Sequence, residues 1–140
     1  MNDAKRYLLQ LHVLDHRITS LQEELERRRS RMTSISIRYD KINIQSSPSA
    51  DPMADYVAGV DELLRKLADM QLEYTQKRLL IERQIMELGE KNRTYSEILM
   101  LRYIVNRTWI QIADQLGLTS ETVIKYHGKA LRLFQEKYGL

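Results

Sequence analysis

TYSEILMLRYIVNRTWIQIADQLGLTSETVIKYHGKALRL, Thr94 to Leu133, is the stretch whose reading decides the fold. It reads as three short helices with two tight joints, Asn106-Arg107 and Gly117-Leu118. Thr94 followed by Glu97, and Thr108 followed by Gln111, have the spacing of a capping box. Thr119 can accept from the first amides of the third helix, and Glu121 in that turn suits the helix dipole. Apolar residues recur at helical spacing: Ile98, Leu101 and Ile104, then Trp109, Ile112, Ala113 and Leu116, then Val123, Tyr126, Ala130 and Leu133. None of the three helices could bury its stripe alone, and together they form a helix-turn-helix unit.

Working outward, the preceding residues carry two long heptads. From Ala4 to Ile35 the seam runs Ala4, Tyr7, Leu11, Leu14, Ile18, Leu21, Leu25, Arg28, Met32 and Ile35. From Val57 it runs Val60, Leu64, Leu67, Gln71, Tyr74, Arg78, Ile81, Ile85 and Leu88. Two helices of roughly 50 Å, at ~1.5 Å per residue, predict an antiparallel coiled-coil hairpin. The register that superposes the whole seams sets Leu11 against Ile81, Ile18 against Tyr74 and Leu25 against Leu67. Gln71 and Arg78 then sit on the seam at a cost in stability. Between them, Ile35, Ile37 and Tyr39, then Ile42 and Ile44, alternate as in brief extended structure, and Q-S-S-P-S-A-D-P follows as a loop. Asp51 and Pro52 restart a helix as N-cap and first helical residue. Gly89 ends or bends the second long helix. The expected organisation is an all-α chain: a hairpin over 1–92 with a loop at about 36–52, and a helix-turn-helix domain over 93–140.

The motifs of the opening stretch identify a resemblance. L-x-L-R-Y (Leu99 to Tyr103), T-W-x-x-I-A-x-x-L-G (Thr108 to Gly117) and T-V-x-x-x-x-x-K-A-L (Thr122 to Leu131) closely resemble region four of bacterial sigma factors. With the long helical N-terminal half, the chain resembles small phage-encoded sigma-like late-transcription regulators of the ArpU and RinA types. The resemblance implies an upstream-promoter-like contact with double-stranded DNA, and makes RNA polymerase a candidate partner. Sigma region four usually presents arginines at the places held here by Ser120, Thr122 and Ile124. Recognition of the ordinary promoter hexamer therefore does not carry over.

Removing the core stripe from the third helix leaves Ser120, Glu121, Thr122, Ile124, Lys125, His127, Gly128 and Lys129 outward. In a helix-turn-helix the N-terminal outward residues meet base edges in the major groove. Lys125 can donate to guanine or phosphate, Ser120 and Thr122 can donate or accept, Glu121 can accept from cytosine, and Ile124 can pack on a thymine methyl. Lys129 and His127 extend that face. Arg107 and Arg102 are phosphate candidates, with packing the alternative for Arg102. Trp109, Tyr103 and Tyr126 read as core residues sooner than as base-stacking ones. The Arg27–Arg31 cluster could touch phosphate, but a solvated face paired with upstream glutamates is the plainer reading.

The remaining observations are exclusions. His12 and His16, four apart, could face one metal, yet no third ligand lies near in sequence and surface histidines are the simpler account. No nucleophile elbow, phosphate loop or paired-carboxylate motif is present, so no enzyme and no cofactor are expected. The chain has no cysteine and no apolar run of the ~18 residues a membrane span needs, so a cytoplasmic, membrane-free protein is expected. A net charge of +3 and a pI near 9.2 permit nucleic-acid binding without demanding it. The expected function is a sequence-specific DNA-binding transcriptional regulator. It would act as a homo-oligomer, a dimer by preference, through its hairpin. Two rivals share the pattern: the small DNA-recognition subunit of a phage packaging terminase, and a module that binds RNA polymerase without reading DNA.

Overall fold

The computed structural model describes the backbone of residues 2–41 and 52–140 and the side chains of residues 2–34 and 52–140. Within these the chain is all-α, with no strand. The helices are α1 (Asp3–Leu8), α2 (Gln10–Lys41), α3 (Pro52–Leu88), α4 (Arg93–Leu99) with a π-helical turn Met100–Ile104, α5 (Trp109–Leu116) and α6 (Ser120–Tyr138). Leu9 bends the chain between α1 and α2 without breaking it, since its N–H donates to Lys5 and its carbonyl accepts from Val13. The extended structure expected from Ile35, Ile37 and Tyr39 is not formed: α2 runs on to Lys41, so the loop starts later than 36. Helix continuation keeps every backbone bond local, whereas a short extended piece here has no strand to pair with. The Ile42 and Ile44 pair, the Ser- and Pro-bearing tract and the Asp51 cap lie outside the described residues.

The chain divides into two compact units, and not at the expected boundary of 92/93. One unit joins residues 1–14 with 74–140; the other is 15–73. In the first, Ala4, Leu8 and Leu11 share a core with Ile81, Ile85 and Leu88 of α3, with Leu99, Tyr103 and Ile104, and with Ala130, Leu131 and Phe134 of α6. The helix-turn-helix thus has no complete core of its own. The reason is visible in α6, whose apolar residues outnumber what α4 and α5 can cover. Polar ties follow the same route. Tyr7 donates to Gln84 at 2.7 Å, Lys77 donates to Gln10 at 3.0 Å, Ser96 Oγ donates to the Ile85 carbonyl at 2.8 Å, and Lys137 Nζ donates to the Glu87 carbonyl at 3.1 Å. The last two add a second donor to carbonyls at the end of α3 that already accept long backbone bonds, Ile85 from Gly89 and Glu87 from Glu90, each at 3.3 Å. A second, smaller cluster of Ile98, Ile112, Ala113 and Val123 lies beneath α5.

In the second unit, Ile18 and Leu25 of α2 and Leu63 of α3 are buried. The expected register would set Leu64 opposite Arg28; instead the Arg28 guanidinium lies against Gly59, and Leu64 is 42% exposed. The seam of α3 is also rotated from the expected one. Leu63 and the half-buried Leu67, Met70, Tyr74 and Lys77 face inward, while Gln71 and Arg78 are exposed. Rotation by one residue exchanges Leu64 for Leu63, Gln71 for Met70 and Arg78 for Lys77, whose ammonium is satisfied by Gln10, and so avoids desolvating an amide and a guanidinium. Of the apolar residues that flank the expected seams, Leu8 and Leu63 are buried and Leu9 and Met70 half-buried, while Leu79 and Leu80 are exposed.

Candidate nucleic-acid interface

Local chemistry fixes the α5–α6 corner. Thr108 caps α5 as a reciprocal box: Gln111 N–H donates to its Oγ1 at 3.2 Å, and Thr108 N–H donates to Gln111 Oε1 at 3.0 Å. Gly117 ends α5 at φ 67°, where a side chain would strain the backbone, and Leu118 N–H returns to the Ala113 carbonyl at 2.9 Å. Thr119 then caps α6 by accepting from Thr122 N–H at 3.2 Å. Thr94 does not cap α4; the helix already begins at Arg93 after Asn92, so Thr94 sits inside the first turn.

The π-helical turn positions two more side chains. Val105 N–H reaches back five residues to the Met100 carbonyl, and Asn106 makes the joint at φ 64°. Arg102 stacks on Trp109, 4.0 Å from the ring, and donates to the Arg107 carbonyl at 3.1 Å. Arg102 is therefore a packing residue that braces the joint, the alternative already open for it.

His127 is the one outward assignment that the structure overturns. It is 7% exposed, lies stacked on Tyr103 and meets the edge of Trp109 at 4.6 Å between centroids. Its Nε2 is 2.7 Å from the Tyr103 hydroxyl. Burial first, then the Lys5 and Arg102 charges, lower its pKa to about 4. Burial raises the Tyr103 hydroxyl to about 12. Both groups are thus neutral at ordinary pH, and the imidazole tautomer sets the direction of the bond between them. The buried line of α6 is Val123, His127, Ala130, Leu131 and Phe134, so His127 stands on a core position at four-three-four spacing. His12 is likewise half-buried, its ring 6.3 Å from that of Tyr103. His16 is exposed, and no group of three metal-ligating side chains occurs among the described residues.

The other expected residues fall as follows. Glu121, Lys125, Lys129 and Arg107 are exposed, and Ile124 is 50% exposed. Ser120 and Thr122 are half-buried, and Thr122 Oγ1 is held 2.8 Å from Thr119 Oγ1, within the cap. The face that α6 offers is therefore Glu121, Ile124, Lys125 and Lys129. Arg132, seven residues beyond Lys125, is exposed too and joins it at about 100° per residue, a continuation that the periodicity already carried. Gly128, half-buried, lies on the flank of this face. A glycine inside a helix costs about 1 kcal/mol relative to alanine. Lys125, Lys129 and Arg132 pair with no carboxylate among the described residues. By contrast Arg27 and Arg28 both bond Glu24, whose carboxyl they hold below its usual pKa, as the plain reading of that cluster expects. Comparison with protein-family models, with curated proteins and with solved structures finds no match to this chain.

Proposed function

We propose that this protein is a sequence-specific double-stranded DNA-binding transcriptional regulator, of the phage or prophage kind that its sigma-region-four-like motifs resemble. The observation that carries the reading is the exposed set Lys125, Lys129 and Arg132, in no ion pair among the described residues, on a helix whose first turn is locked by Thr119 and whose inner face is locked by His127. A preordered cationic helix after a tight turn suits insertion into the major groove. The reading also takes the protein to be cytoplasmic and to act as a homo-oligomer, since one such helix makes few phosphate contacts and specific affinity usually needs two. No helix among the described residues is long and apolar enough to cross a membrane.

The test is selection of bound sequences from random duplex DNA, followed by Lys125→Ala. Loss of ~1–3 kcal/mol at one base position marks a base contact, and uniform loss with a salt slope reduced by about one marks a phosphate contact. Failure to enrich any duplex would sink the reading. One observation favours a rival: Ile110 is 67% exposed on α5, and with Ile124 offers apolar surface fit for a protein such as RNA polymerase. Ile110→Asp separates the two, because it should leave DNA binding intact and abolish polymerase capture.

A further inference from the structure

Gly128 has no role in the fold. Its φ is not in the left-handed region, which among glycines is occupied by Gly117 and Gly139 alone, and the helix runs on from it to Tyr138. It is therefore no cap. A Cβ built on it meets nothing within 4 Å, so no neighbour in the chain needs its side chain absent. Alanine would be the better helix former there. Folding alone thus argues for a side chain at 128.

What surrounds it is cationic. On a helix, Lys125 lies three residues before Gly128 and Arg132 four after, on the same face, with Lys129 alongside. All three are exposed and none pairs with a carboxylate among the described residues. Rotation at about 100° per residue places the half-buried Gly128 on the flank of the outer face, with Lys125 and Arg132 on one side of it and Ile124 and Leu131 on the other. A stretch of helix backbone without a side chain, bordered on one side by Lys125 and Arg132 with Lys129 beyond them over the Tyr126 ring, is shaped for an anionic chain that must come close.

We propose that Gly128 is the point of closest approach between α6 and the sugar-phosphate backbone of bound duplex DNA. This rests on the DNA-binding reading and specifies how the strand sits. The missing side chain lets the strand lie against the helix, within reach of Lys125, Lys129 and Arg132 together. A methyl group at 128 would hold it off, and charge-assisted hydrogen bonds weaken quickly beyond ~3.2 Å.

The experiment compares full-length wild type, Gly128→Ala, Gly128→Leu and Lys125→Ala. Each is measured for thermal unfolding and for affinity to a duplex selected by the wild type, across a salt series. Gly128→Ala should raise Tm and weaken binding by about tenfold, with Gly128→Leu weaker again by a further tenfold. The losses should be nearly uniform over base substitutions in the site, and the salt slope should fall by about one. Wild-type binding by both Gly128 variants, alongside weakened Lys125→Ala, would overturn this inference and leave the DNA-binding reading standing. A Tm that fell together with affinity would overturn it too, since the glycine would then serve the fold. No duplex selected by the wild type would remove both.

Discussion

His127 shows how one residue can tie recognition to folding. It sits on the helix that carries Lys125, yet its ring is sealed between Tyr103 and Trp109 with its Nε2 hydrogen-bonded to the Tyr103 hydroxyl. The charges that face it are both cations, Lys5 from α1 and Arg102 from the π-helical turn, so no carboxylate offsets a proton placed there. The folded-state pKa lies near 4, below the ordinary 6.5. The unfolded chain therefore binds the proton more readily, and the stability that neutral His127 contributes is whole above pH 6.5 and lost as pH falls towards 4. At 1.36 kcal/mol per pKa unit the loss approaches about 3 kcal/mol. Thermal unfolding of the wild type should weaken steeply over that window, and His127→Gln should flatten the profile there. Identical profiles would mean that the ring can protonate without cost. The sequence hid this site because histidine reads as polar, while its position one turn from Val123 and Ala130 is apolar by spacing.

At the scale of elements, what was legible was what is local. The Thr108–Gln111 box, the Gly117 joint and the Thr119 cap each depend on three or four consecutive residues, and each is formed as read. Thr108→Ala should cost roughly 0.5–2 kcal/mol of stability, measured by denaturant unfolding, because it orphans an amide at the start of α5. Val123→Ala should cost about 1–3 kcal/mol through lost burial, whereas Lys125→Ala should change stability by less than ~0.5 kcal/mol. A large effect of Lys125→Ala on unfolding would show that the outer face of α6 is not free. The seam of α3 was less legible. A heptad with Leu63 beside Leu64 and Met70 beside Gln71 admits two rotations, and the choice is made by cross-chain burial that no window of sequence contains. The end of α2 was misread for a related reason: alternating isoleucines favour a strand only when a partner strand exists.

At the scale of the whole molecule, the two compact units do not divide after residue 92, because apolar pattern records that a face is buried and not what buries it. Ala4, Leu8, Leu11, Ile81, Ile85 and Leu88 complete the core around Phe134. At ~1.5–3 kcal/mol for each fully buried large side chain, their loss rivals the 5–15 kcal/mol total stability of a typical domain. A chain beginning near Lys91 should therefore lack cooperative thermal unfolding, even though it retains every helix-turn-helix motif. Oligomerisation is the complementary question, because it concerns apolar surface that the fold leaves uncovered. In the unit formed by residues 15–73, Val57, Leu64 and Leu72 are 50%, 42% and 59% exposed, and spacings of seven and eight residues keep them on one face of α3. A row of this kind is the pattern of a helix seam that lacks its partner. The full chain should accordingly scatter light as a dimer or larger. Leu64→Lys combined with Leu72→Lys should reduce it to a monomer without loss of helical circular dichroism, since neither side chain belongs to the buried set. Affinity for a two-half-site duplex should fall with it, while affinity for a single half-site should hold. A ring-sized mass would instead favour the packaging subunit, and a double variant that kept the wild-type mass would move the interface off this face of α3.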